Sequence, residues 1–261
     1  MWRSILGDAH ELRAERAAAQ AALAVIAGIL LSGPLALLTV ALVHPQPPWQ
    51  GAARFAAEFH TVQLLPYLGG FALVGGCIAL VATLCALVPP ERRGRAGVAL
   101  VLAAAFAALI VLNYILQAAF VPALVSPYRP EDDALITAFT MSNPRSLAWA
   151  LEMWGYGVLG VATWAVAVVF GSSRLERATA AAFRANGVAS VAGALATARW
   201  PGWELTPAGG VAFGLWNLLM IVMAALVIAA MTRRSRQATT SRPDRTSAGQ
   251  CPDTTGQPGR Q

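Results

Sequence analysis

Glu152 is the single acidic residue in an apolar stretch running from about 146 to 170. A carboxyl group at the depth such a stretch reaches is costly, so it is usually either paired or functional. Residues three or four apart share one face of a helix. On the face of Glu152 lie Arg145, Trp149, Tyr156 and Thr163. Two other apolar runs carry polar residues at matching intervals: His60, Gln63 and Tyr67 open one, and Asn113 and Gln117 stand four apart near the end of another.

These residue types support three kinds of function. In a binding or transport protein for a small molecule or ion, Glu152 accepts the proton or cation. Asn113, Gln117, His60 and Gln63 then supply hydrogen bonds, with Trp149 and Tyr156 beside the carboxyl. In an intramembrane enzyme acting on a lipophilic substrate, Glu152 is the general acid, and Trp149, Trp154 and Tyr156 line an apolar cavity or face a cationic intermediate. One acid without a second catalytic group is thin support for that role. In an accessory or sensory subunit, the exposed segments meet a partner protein, while Glu152, Asn113 and Gln117 only hold helices together by hydrogen bonding, as polar residues between membrane helices do. The residues leave all three open.

No metal or cofactor is expected. His44, Glu58 and His60 are near one another in sequence but lack the fixed spacing of H-E-x-x-H ligands. Two-histidine haem ligation is disfavoured because neither His44 nor His60 lies deep in an apolar run. Cys77 and Cys85 sit eight apart among apolar residues, Cys251 is in a polar tail, and no C-x-x-C occurs. Cys77 and Cys85 read as small core residues, and no disulfide or redox pair is expected. There is also no P-loop and no G-x-S-x-G.

Composition identifies the elements that must carry these side chains. Of 261 residues, 57% are hydrophobic and 12% charged, with mean hydropathy +0.56, which is outside the range of soluble domains. All 19 basic residues are arginine. They cluster between apolar runs instead of forming a stripe beside aromatic residues, which argues against a nucleic-acid partner. A helix needs about 20 apolar residues to cross the hydrocarbon core. Runs near 17–43, 62–88, 96–121 and 208–231 meet that length, and 146–170 does so around Glu152. The first is not a cleaved signal, since Asp8, Glu11 and Glu15 precede a long run without a cleavage motif.

The segment 178–198 is weakest, because Arg184 leaves 14 uncharged residues, about 21 Å of helix. Charge placement decides for it. With six spans, 15 of the 19 arginines fall on one side and only Arg54, Arg129, Arg145 and Arg199 on the other, as the positive-inside rule requires. The expected fold is therefore all-α: an integral bundle of six transmembrane helices with both termini cytoplasmic, in a bacterial plasma membrane. A leader covers 1–16, the bundle 17–231 and a disordered tail 232–261.

The short arginine-rich loops should contact anionic lipid headgroups. The opposite segments carry Trp49, Tyr128, Trp200 and Trp203, an interfacial belt. Ser32-Gly33-Pro34 should kink the first helix and Pro66 should bend the second, while Asn143 and Pro144 should start the fourth. Because helix directions alternate, His60, Gln63, Asn113, Gln117, Glu152 and Tyr156 are all expected in the outer half of the membrane.

Overall fold

The computed structural model describes residues 2–240, with side chains from Glu11 to Gln237. The chain is helical, and no strand occurs among the described residues. Helix α1 (Trp2–Leu30) passes through a π-helical turn (Leu31–Leu35) into α2 (Ala36–Val43). A short α3 (Ala52–Ala57) precedes α4 (Leu65–Ala86), and α5 (Arg93–Ile115) continues through a second π turn (Leu116–Phe120) into α6 (Val121–Val125). Then come α7 (Asp133–Phe139), α8 (Leu147–Val166), α9 (Arg174–Arg199) and α10 (Pro207–Thr240).

Five segments are long and apolar enough to cross a membrane: Glu11–Val43, Thr61–Ala86, Pro90–Val125, Leu147–Val169 and Pro207–Gln237. The protein is thus a membrane protein by the length and composition of its helices. The expected fifth span forms part of a sixth long helix, α9. Its 26 residues reach about 39 Å, but its polar and charged residues keep it out of the apolar set. One face of α9 is buried, with Glu176, Thr179, Phe183, Asn186, Ser190, Ala194 and Thr197 at intervals of three and four. That periodicity seats it against α8 and α10.

Small residues set the closest approaches. A Cβ added to Gly160 of α8 would stand 2.6 Å from Ser190 Cβ and 3.1 Å from the Gly187 carbonyl oxygen of α9. Glycine is therefore required where these two backbones meet. On the other side of the bundle α1 lies along α4 and α10, and α5 bridges α4 and α8.

Backbone irregularities follow the prolines. Pro34 lies inside the first π turn, where Ser32 Oγ donates to Gly28 O at 2.8 Å, so the expected kink takes the form of a π bulge. Pro66 stands just after the 3-10 turn Thr61–Leu64 gives way to α-helix. It occupies the first turn of α4, where a missing N–H leaves no bond unmade. Asn143 is not the cap of α8 either. Ser146 caps it, accepting from Trp149 N at 3.3 Å, while Asn143 Oδ1 accepts from Arg145 N at 3.1 Å in the preceding turn.

The two ends of the bundle differ. At the basic end Arg92 Nη1 donates to Val168 O at 3.1 Å, and Arg234 donates from Nε to Glu176 at 2.8 Å and from Nη2 to Val169 O at 2.9 Å. Ser235 Oγ donates to Glu15 at 2.8 Å. These partners carry α10 past Met231 to Thr240, so residues 232–240 are helical instead of part of a disordered tail. Residues 241–261, including Cys251, lie outside the described residues. At the other end the connecting segments form a second apolar core of Ala52, Phe55, Val121, Val125 and Ile136, joined by Trp49, Phe59, Tyr128 and Phe139. This cap gives Trp49 and Tyr128 packing partners beyond any interfacial role.

Candidate functional site

Glu152 lies in the second turn of α8, about 9 Å along the axis from the Ser146 cap, and is half-buried. Asn113 Nδ2 donates to its Oε2 at 2.9 Å, and the Tyr114 hydroxyl donates to its Oε1 at 3.1 Å. Tyr114 and Tyr156 hydroxyl oxygens are 3.2 Å apart. Both donors come from α5, whose residues Asn113 and Tyr114 are 0% and 5% exposed. No cation pairs with this carboxyl group among the described residues; the ion pairs are Arg54–Glu58 and Arg234–Glu176.

The second π turn brings Gln117 into the same network. Its Nε2 donates to Phe139 O at 2.7 Å and to Asn113 Oδ1 at 3.3 Å, and its Oε1 accepts from Met141 N at 3.0 Å. Trp149 Nε1 donates to Met141 O at 2.7 Å. Gln117 and Trp149 therefore clamp the 139–141 backbone, and Met141 Sδ sits 3.3 Å from Asn113 Nδ2. Met141 thus links Asn113, Gln117 and Trp149.

Of the sequence-selected residues, Glu152, Asn113, Gln117, Trp149 and Tyr156 converge on one network. His60 and Gln63 are engaged elsewhere. His60 caps the 3-10 turn Thr61–Leu64, its Nδ1 accepting from Val62 N at 3.2 Å, while Gln63 Oε1 accepts from His60 N at 3.4 Å. The His60 ring stacks on His44 with centroids 4.8 Å apart. His44 Nε2 is 3.0 Å from the Glu58 backbone oxygen, and the Glu58 carboxylate pairs with Arg54 at 2.6 Å. Trp154 is 46% exposed.

Tyr114 is the residue the spacing argument overlooked. Three of the chain's four tyrosines, Tyr67, Tyr114 and Tyr156, lie within apolar runs, and a tyrosine hydroxyl there needs a partner. That signal was available. In the fold Tyr114 is flanked by Tyr67 at 6.0 Å and Phe71 at 5.7 Å between centroids, which leaves its hydroxyl directed by rigid neighbours.

A second polar line extends from Tyr156. Its ring meets Trp216 edge-on at 5.0 Å, Trp216 Nε1 donates to Ser190 Oγ at 2.9 Å, Ser190 Oγ donates to Asn186 Oδ1 at 3.4 Å, and Asn186 Nδ2 donates to Thr163 Oγ1 at 3.0 Å. Asn186 and Thr163 are buried at 0% and 2% exposure. Thr163 thus serves the α8–α9 seam, not the Glu152 site. Asn217 bonds its own helix at Phe213 O. No protein-family model, no curated protein and no solved structure matches this chain.

Proposed function

We propose that the protein is a six-span plasma-membrane protein with cytoplasmic termini that binds a proton or small cation at Glu152, entering from the cap side, as part of a transport function. The carrying observation is a half-buried carboxyl group held by two neutral donors, Asn113 and Tyr114, with no cationic side chain opposite it among the described residues. A carboxyl group fixed this way offers negative charge at membrane depth to an incoming positive one. Asn113 and Tyr114 hold it in place, and Met141 lies beside Asn113. The arginines of the opposite end favour a cytoplasmic placement of that end under the positive-inside rule, which turns the site outward. The sixth span is the 178–198 part of α9, whose buried polar face lets it cross inside the bundle with Arg184 near the cytoplasmic headgroups.

The test is covalent. Purified protein is treated with dicyclohexylcarbodiimide, an apolar carboxyl reagent, with and without sodium ions, and mapped by mass spectrometry. Adduct is expected on Glu152 and absent from Glu152→Gln, with its formation slowed by sodium or by alkaline pH. Failure of Glu152 to react, or a reaction indifferent to both, contradicts the reading.

A further inference from the structure

The basic end contains two clefts that meet. One, about 650 Å³, is lined by Arg92, Arg95 and Arg184 together with Glu91 and Phe170. The second, about 420 Å³, shares Gly94 and Arg95 with it and continues between α5 and α8 over Val98, Val161 and Trp164. The polar cleft therefore opens into an apolar groove, and Arg95 stands at the junction. Val98, Val161 and Trp164 are 54%, 41% and 49% exposed, on helices apolar enough to be surrounded by lipid.

The charges in the first cleft are not paired among the described residues: none of Arg92, Arg95 and Arg184 forms an ion pair there. Arg92 uses one of its five N–H donors on Val168 O at 3.1 Å, which fixes its guanidinium at the rim. Against these three positive groups the cleft holds one carboxylate, Glu91. A phosphodiester matches planar guanidinium donors in charge and geometry.

We propose that the joined clefts hold one anionic phospholipid, its phosphate between Arg92, Arg95 and Arg184 and one acyl chain along Val98, Val161 and Trp164. A free phosphate satisfies only the first cleft; the apolar groove accounts for the choice of a lipid. The inference rests on this end of the bundle lying at a membrane surface and is independent of the role of Glu152.

The full-length protein in detergent is titrated with phosphatidylglycerol and phosphatidylcholine and bound lipid is counted by native mass spectrometry. Wild type is expected to prefer phosphatidylglycerol, and Arg95→Gln combined with Arg184→Gln to weaken that binding about 30-fold, the effect of two arginines near a lipid surface. Among the described residues neither guanidinium donates a hydrogen bond, so the pair of substitutions should leave the thermal midpoint in place. Arg174→Gln with Arg177→Gln, two arginines at the same end that line neither cleft, should retain the preference. Equal losses in both double variants would mean a diffuse basic surface and overturn the site. Displacement of the lipid by equimolar inorganic phosphate would overturn the acyl-chain half. As a second measurement, phosphatidylglycerol with brominated chains, dilute in phosphatidylcholine bilayers, should quench wild type more than Trp164→Phe; equal quenching also overturns it.

Discussion

Asn113 Nδ2 and Glu152 Oε2 lie 2.9 Å apart across the seam between α5 and α8. The same amide group of Asn113 is tied through its Oδ1 to Gln117, which in turn holds the 139–141 backbone. Replacing Asn113 with Leu removes the donor to the carboxyl group and one acceptor of Gln117. The expected cost is about 0.5–2 kcal/mol, read as a lower thermal midpoint in detergent. Tyr114→Phe, which removes one hydroxyl and keeps the ring packing, should cost less.

Close contact of α8 and α9 depends on Gly160. Leucine at this position must displace Ser190 Cβ and the Gly187 carbonyl, and a penalty of about 1–3 kcal/mol is expected from overpacking. Gly97 has nothing within 4 Å of an added Cβ. Gly97→Ala should therefore be neutral or stabilise by up to about 1 kcal/mol. Thermal melts of the two variants separate packing from helix propensity.

Glu176 supplies a pH-dependent fastening for the end of α10. Burial alone raises its carboxyl group, but the Arg234 guanidinium and donors from Gly171 and Ser172 outweigh burial and hold it well below the ordinary value of 4.5. A carboxylate depressed in the folded state stabilises fully above 4.5 and loses that contribution as pH falls toward its folded value. Arg234→Ala should cost about 1.5–3 kcal/mol at neutral pH. The gap between wild type and Glu176→Gln should stay constant down to about 4.5 and close below it, checked by melting both proteins across that range.

Glu204 has the opposite sign. Burial raises its carboxyl group, and the backbone amides of Glu204 and Gly202 only partly offset this; neither carboxylate oxygen makes a hydrogen bond of normal geometry. Folding then favours the protonated form, so its contribution is present below 4.5 and lost as pH rises through the folded value. Glu204→Gln should raise the thermal midpoint at neutral pH, with the advantage shrinking in acid. A variant equally stable at every pH contradicts this.

Long apolar runs were legible because the hydrocarbon core fixes a minimum length, and five of them appear as helices near their expected bounds. Glu152, Asn113 and Gln117 were found by helical spacing, since only a shared face can bring such groups to one seam. Tyr114 was less legible because helical spacing pairs Asn113 with Gln117 and passes over the adjacent position, although a tyrosine within an apolar run already asks for a partner. Asn186 and Ser190 escaped for a different reason: hydropathy weighs the segment as a whole, and their four-residue spacing marks a buried face only once α9 is known to be a helix. The cap was illegible because α3 and α7 have 6 and 7 residues. Elements that short are stabilised by tertiary contacts around Phe55 and Ile136 rather than by their own periodicity. His60 and Gln63 shared the expected face with Tyr67, but an N-terminal turn uses its polar side chains to satisfy its own backbone.

Infrared difference spectroscopy of the reconstituted protein, stepped in pH, tests the central claim about Glu152 most directly, because a protonated carboxyl group has its own carbonyl band. The expected result is a band that rises and falls with pH, shifts in deuterium oxide, and is missing from Glu152→Gln while the other carboxyl signals persist. Identical spectra from wild type and Glu152→Gln would contradict a proton- or cation-binding role and leave Glu152 as a fixed hydrogen-bonding link between α5 and α8.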